Sequence, residues 1–218
     1  MKKQFGLMVV LGFAIVAFAA DQAGKTYKPD DEGFIRNWVL LEPIALGDTA
    51  NNHEEDTQKP MFNKQYFDGQ KDGMPQDGDK VKVDGKDATW HAHTASDYAI
   101  DFEKIAADAS KEPTNALFLG VAYIMVPDQK DAVKLAIGSD DSSVWWLNGN
   151  EAIRVYSGRG VDKDQDTAEN LTLKKGLNVL RFAVINGDGP TGACARFMDK
   201  GGSPIKEITI LGAPPKKE

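Results

Sequence analysis

Asp140 and Asp141 stand side by side between a run of small residues and an aromatic strand, and two neighbouring carboxylates supply hard oxygen ligands of the kind calcium prefers. Calcium takes about six to eight oxygens, so neighbouring loop carbonyls would have to fill the remaining positions. Asp140 and Asp141 are therefore the candidate metal ligands, calcium the candidate cofactor, and a solvated acidic turn the alternative. Trp146 lies a few residues on, where an exposed indole would stack on a sugar face; with Asn148 and Arg154 it makes up the candidate ligand-binding set. The alternative for Trp146 is packing beneath the N-terminal segment or a polar insertion. His91 and His93 share one face of an expected strand, an arrangement that chelates transition metals but has no third ligand close by. His53, beside Glu54, Glu55 and Asp56, would have to complete it; otherwise these are surface histidines.

Nucleophilic catalysis finds no support in these residue types. There is no Gly-x-Ser-x-Gly elbow, and Ser157, in Tyr156-Ser-Gly-Arg-Gly160, has no nominated base. Neither a phosphate-binding loop nor a strand-led Gly-x-Gly-x-x-Gly occurs. With 33 acidic residues in the chain, the mere presence of carboxylate pairs singles out no glycosidase site. The sequence thus reads as a non-enzyme. Its net charge of −7 becomes −9 once Lys2 and Lys3 are removed with a leader, and so acidic a surface disfavours nucleic acid and anionic lipid.

Lys2 and Lys3 precede an apolar run from Phe5 to Phe18, and Ala17-Phe-Ala19 supplies a small-x-small cleavage pattern. That run is about 14 residues, short of the roughly 20 that span a bilayer. Residues 1–20 are expected to be a signal peptide, the mature protein secreted or periplasmic, with no membrane span after cleavage; a retained anchor is the alternative. Cys194, the single cysteine, cannot form an internal disulfide, and its place in Ala193-Cys-Ala-Arg-Phe197 suits a small buried apolar residue.

The elements that would position the site are short and β-rich. Asn148-Gly149 and Asp84-Gly85 both tolerate the positive φ of a tight hairpin turn, which joins Val144–Leu147 to Ala152–Val155 and Lys80–Val83 to Ala88–His93. Trp38–Leu41, Tyr98–Phe102, Ala116–Val126, Val133–Ile137, Leu177–Ile185, Ala193–Phe197 and Ile205–Leu211 add further strands. Lys174-Lys-Gly176 reads as a turn pairing Asn170–Leu173 with Leu177–Ile185. The last of these is apolar on both faces and belongs at the centre of a sheet. Along Val144–Leu147, parity sends Trp145 and Leu147 to the core and Trp146 to the opposite face with Val144 and Asn148. Only Phe102–Ser110 has helical content. Residues 21–32 read as a flexible lead-in, 33–212 as a single domain with a polar insertion at 47–79, and 213–218 as a tail. Asn170-Leu-Thr172 matches a glycosylation acceptor, discounted because the leader looks bacterial. The fold class is all-β, a two-sheet antiparallel β-sandwich.

Lys134-Leu-Ala-Ile-Gly-Ser-Asp-Asp-Ser-Ser-Val-Trp-Trp-Leu-Asn-Gly149, followed by Thr172-Leu-Lys-Lys-Gly-Leu-Asn-Val-Leu180, resembles the galactose-binding-domain-like jelly rolls that accompany bacterial carbohydrate-active enzymes. Phe34–Ile44 and Trp90 extend the similarity over most of the mature chain. Ser139-Asp-Asp141 is also similar to the Asp-Asp element of the PA14 fold, in which the aspartates bind calcium and calcium holds sugar hydroxyls; Ser142 stands where that element has glycine. The resemblance implies a secreted carbohydrate-binding module whose partner is a glycan or polysaccharide. A structural or interaction sandwich of the cell envelope, with another envelope protein as partner and no sugar site, is the alternative.

Overall fold

The computed structural model describes residues 24–216, so the expected signal peptide at 1–20 lies outside the described residues. Fourteen strands and two helices form among them. In chain order these are β1 (Thr26–Tyr27), β2 (Asn37–Leu41), β3 (Ile44–Ala45), α1 (Glu55–Asn63), β4 (Lys80–Val83), β5 (Lys86–Thr94), β6 (Ile100–Asp101) and α2 (Phe102–Asp108). There follow β7 (Ala116–Val126), β8 (Lys130–Asp140), β9 (Ser142–Leu147), β10 (Asn150–Val155), β11 (Asp166–Leu173), β12 (Gly176–Asn186), β13 (Gly192–Met198) and β14 (Thr209–Leu211). No helix among the described residues is long and apolar enough to cross a membrane.

These strands make two antiparallel sheets, as an all-β sandwich requires. The larger runs β10-β9-β12-β7-β2-β5-β4, with β14 and β3 also on β7 and β1 on β14; the smaller runs β11-β8-β13-β6. Both Asn148-Gly149 and Asp84-Gly85 turn with positive φ, at 54° and 81° and at 48° and 78°. Side chains there alternate across the pleat as parity demands. Trp38, Phe118, Trp145 and Phe182 point between the sheets into one apolar cluster, while Val39, Leu119, Val144 and Ala183 point outward into a second. Within the first cluster Trp145 packs against Phe182 at 5.0 Å between ring centroids and edge-on to Trp38 at 6.1 Å. Gly120 is required at its place on β7, because a Cβ there would stand 2.3 Å from the Phe182 ring.

The second cluster exists because the 47–79 insertion is not a bare loop. A 3-10 turn at Asp48–Asn51, helix α1 and the segment after it carry Ala50, Phe62, Tyr66 and Phe67 onto the outer face of the large sheet. The loop after α1 is fastened to that sheet, with Tyr123 Oη donating to Pro75 O at 2.6 Å and the Arg181 guanidinium donating to Gly73 O.

Helical content, expected only at Phe102–Ser110, is also present as α1 in the insertion, and three further expectations about the elements change. The Asn170–Leu173 and Leu177–Ile185 segments are not a hairpin, since β11 pairs with β8 while β12 pairs with β7 and β9. Lys174–Gly176 instead carries the chain from one sheet to the other, held by the buried Asn178, which accepts from Lys174 N and donates to Lys174 O and Gly176 O. The lead-in at 21–32 is partly built into the fold, because Thr26 and Tyr27 pair with Leu211 and Ile210. Tyr98–Phe102 yields only two strand residues before α2 begins, with the Asp101 side chain capping the helix at Lys104 N.

Trp145 is fully buried, whereas Trp146 is half-buried on the outer face. Trp145→Ala should therefore cost about 3–5 kcal/mol and Trp146→Ala well under half of that, read by denaturant unfolding. Equal losses would mean that the two faces of β9 are covered alike.

Candidate functional site

Asp140 ends β8 in the small sheet, and after Asp141 the chain enters β9 in the large sheet. The pair lies at the seam where the chain steps between sheets, joined by a cis peptide bond. It is not a solvated turn. Asp140 is 7% exposed and Asp141 6%.

Asp141 is held at every polar atom. One carboxylate oxygen accepts Arg159 N and the other Gly187 N, each at 2.9 Å. Its carbonyl accepts Ser139 Oγ at 2.7 Å, and its N–H donates to Ile185 O at 3.3 Å. Ser139 Oγ in turn accepts Ser143 Oγ at 2.9 Å, which accepts Trp145 Nε1 at 3.1 Å, so a buried chain of hydrogen bonds runs from the pair to the central indole. The Asp140 carbonyl accepts Thr191 Oγ1 at 2.6 Å. Glycine is needed at 187, where a Cβ would meet Asn51 Oδ1 at 2.3 Å. Ser142 is fully buried and accepts Ser157 N at 2.9 Å, which fastens the 156–165 loop beside the pair.

The electrostatics of the seam are one-sided. Burial pushes the Asp140 carboxyl up to about 7; the neighbouring Asp141 charge and a hydrogen bond to Asp141 push the same way, against the Val161 N–H. Among the described residues no lysine or arginine forms an ion pair with either aspartate. Arg159 directs its guanidinium to Asp166 and Ser139, and His53 Nε2 stands 4.0 Å from Asp141. Close by, Asn186 is fully buried; its Nδ2 donates to Pro113 O at 2.8 Å, and its Oδ1 has no hydrogen-bond partner.

Other expected site residues lie elsewhere. Trp146 sits five residues along β9 from Asp141, roughly 16 Å at strand rise, and Asn148 is farther still. Trp146, Asn148 and the aspartates therefore do not border one site. Asn148 is a turn-fixing residue, donating to Asn178 Oδ1 at 2.9 Å and accepting Val179 N at 3.0 Å. Trp146 and Arg154 instead line a separate cavity on the outer face, where Arg154 grips Glu151 at 2.6 Å and lies over the Phe62 ring. His91 lies 3.4 Å from Glu42, while His93, its pKa lowered mainly by burial, lies in β5. Neither joins His53, and the described residues hold no cluster of three or more histidine, cysteine or acidic side chains fit for a metal. Cys194 is buried and its thiol pKa pushed up to about 12, chiefly by burial.

Sequence reasoning gave Ser139 no role beyond its place in the Ser139-Asp-Asp141 element and passed over Arg159, Asn186 and Gly187. Polar or small residues near strand ends cannot reveal which strand ends meet.

No family model matches this sequence, and no curated protein matches it. Among solved structures, the PA14 domain of the MpAFP antifreeze protein is 12% identical at a TM-score of 0.43, over 82% of this chain and 93% of that one. The PA14 sugar-binding domain from an RTX adhesin is 11% identical at 0.40, over 80% and 96%. The β-glucosidase from Kluyveromyces marxianus is 17% identical at 0.37, over 50% of this chain and 14% of the enzyme. At these values the ligand has to be read from the site's own residues.

Because the folded state holds the Asp140 proton more tightly than the unfolded chain, with a pKa near 7 against an ordinary 3.8, this group's contribution to stability falls as pH rises from about 4 through about 7. Thermal melts in chelator should show that decline, and Asp140→Asn should flatten it. Parallel wild-type and variant profiles would contradict the raised pKa.

Proposed function

We propose that this protein is an exported, non-catalytic carbohydrate-binding module that holds calcium on Asp140 and Asp141 and presents it to the hydroxyls of a glycan. The observation that carries this reading is the buried pair of adjacent carboxylates with no lysine or arginine counter-charge among the described residues, one of them raised to about 7. Two like charges packed together in low dielectric are relieved by a dication, and the donor set suits a hard one. Asp140 and Asp141 would supply the carboxylate oxygens, and the unpartnered Asn186 Oδ1 an amide oxygen. Calcium accepts such a mixture and completes its shell with carbonyls, water or vicinal sugar hydroxyls.

The protein's part is to fix the donors. Arg159 N–H and Gly187 N–H orient the Asp141 carboxylate, the Ser139–Ser143–Trp145 chain anchors its backbone to the core, and Thr191 anchors that of Asp140. Such prior ordering lowers the entropy lost on binding. The site lies at the seam between the sheets, beside the 156–165 loop.

An interaction module with no sugar site is less well supported. Among the described residues Met125 is the one exposed large apolar side chain, so no contiguous apolar patch marks a docking surface there. Export rests on the short apolar run at Phe5–Phe18 and the Ala17-Phe-Ala19 pattern.

Calcium at about 100 times its dissociation constant should stabilise the wild type by roughly 2.7 kcal/mol, seen as a higher Tm, and leave an Asp140→Ala, Asp141→Ala double variant unmoved. A glycan array read with calcium and with chelator then identifies the sugar. If calcium leaves the wild-type melt unchanged, the metal reading fails and the interaction module takes its place.

A further inference from the structure

The cavity lined by Trp146 and Arg154, on the opposite face of the large sheet from the main core, has a composition that neither the acidic pair nor the packing explains. It measures about 280 Å³, near the small end of sites for small molecules, and is lined by Phe62, Trp90 and Trp146 together with Arg181, Lys71 and Arg154. Arg181 is only 8% exposed. Its single hydrogen bond goes to the neutral carbonyl of Gly73, and among the described residues no carboxylate pairs with it. The contrast with Arg154, doubly bonded to Glu151 in the same wall, is direct.

A guanidinium withdrawn from water with no carboxylate bonded to it is costly, and burial draws the Arg181 pKa down; Asp72, next to the Gly73 that Arg181 bonds, and Tyr123 oppose only through space. The planar fork of a guanidinium matches a carboxylate in two-pronged geometry. Aromatic walls beside it suit the flat or apolar face of a ring. The chain's net charge of −7 repels anions at long range, so any preference for one must come from this local cation.

We propose that this cavity binds a carboxylate carried on a six-membered ring, the carboxylate on Arg181 and the ring against Trp146. The site is roughly 16 Å of strand from the acidic pair and needs no calcium. Two sources share that chemistry, a hexuronate and an aromatic acid.

Galacturonate and benzoate are the probes, each paired with its neutral counterpart, galactose and benzamide. All are titrated in chelator at millimolar concentration against tryptophan fluorescence and thermal melts. One acid should saturate and raise the Tm, with its neutral partner at least about tenfold weaker; which acid does so identifies the ring. Arg181→Met should abolish the preference for the acid, and the Asp140→Ala, Asp141→Ala double variant should retain it, which separates this site from the calcium reading. Should Arg181→Met fail to fold, Trp146→Ala should weaken the acid about tenfold while still preferring it to the neutral compound. Acid and neutral compound binding alike, neither acid binding, or acid binding that survives both substitutions at the cavity would overturn the proposal.

Discussion

Two carboxylates buried side by side at the step between the sheets are the constraint around which the rest of this end of the molecule is arranged. Neither sheet alone could hold them. Asp140 pairs with Gly192 in the small sheet and Ser142 with Ile185 in the large one, so the position of Asp141 is fixed by two independent ladders. Backbone N–H groups from two loops close on one carboxylate, and two hydroxyls close on the carbonyls of the pair. Such an arrangement is stable only if the residual negative charge is neutralised by a proton or by a cation. The interior tryptophan is tied to the same network through two serines, so the aromatic core and the buried acidic pair are one connected structure.

The large sheet is covered on both faces, and by different means. Its inner face meets the small sheet, while its outer face meets the insertion, whose Phe62, Tyr66 and Phe67 supply what a third layer would. The fit is incomplete near β9 and β12, and that is where Arg181 and Trp146 come together. A strand buried on both faces can carry a cation at its centre only where the covering layer leaves room for a partner.

Local chemistry made much of the fold legible. Asn148-Gly149 and Asp84-Gly85 turn as their tolerance of positive φ requires, Ala116–Val126 is a strand over its whole apolar length, and the parity of Trp145 against Trp146 separates core from outer face. What parity cannot encode is partner choice. Alternation in Leu171–Leu173 and Leu177–Ile185 is satisfied equally by pairing with each other or with strands far away in sequence, and the two segments lie in different sheets. The insertion hid its structure because three aromatic residues among many Asp, Gly and Lys give no period. Of the candidate site, the aspartates were visible as a pair of oxygen donors, but their separation from Trp146 and Asn148 is a property of strand direction. Arg181 was passed over for a related reason: in a strand apolar on both faces, one basic residue gives no sign of the cavity that the covering layer leaves above it.

Strand β4, Lys80–Val83, is one margin of the large sheet, and its two lysines are exposed, Lys82 paired with Asp87 at 2.6 Å, while its two valines lie half-covered. An open margin of unpaired N–H and C=O groups is a template on which another chain can extend the sheet, and lysine ammonium groups along it repel a second copy of the same margin. Growth of the sheet by a second copy is therefore disfavoured along this margin.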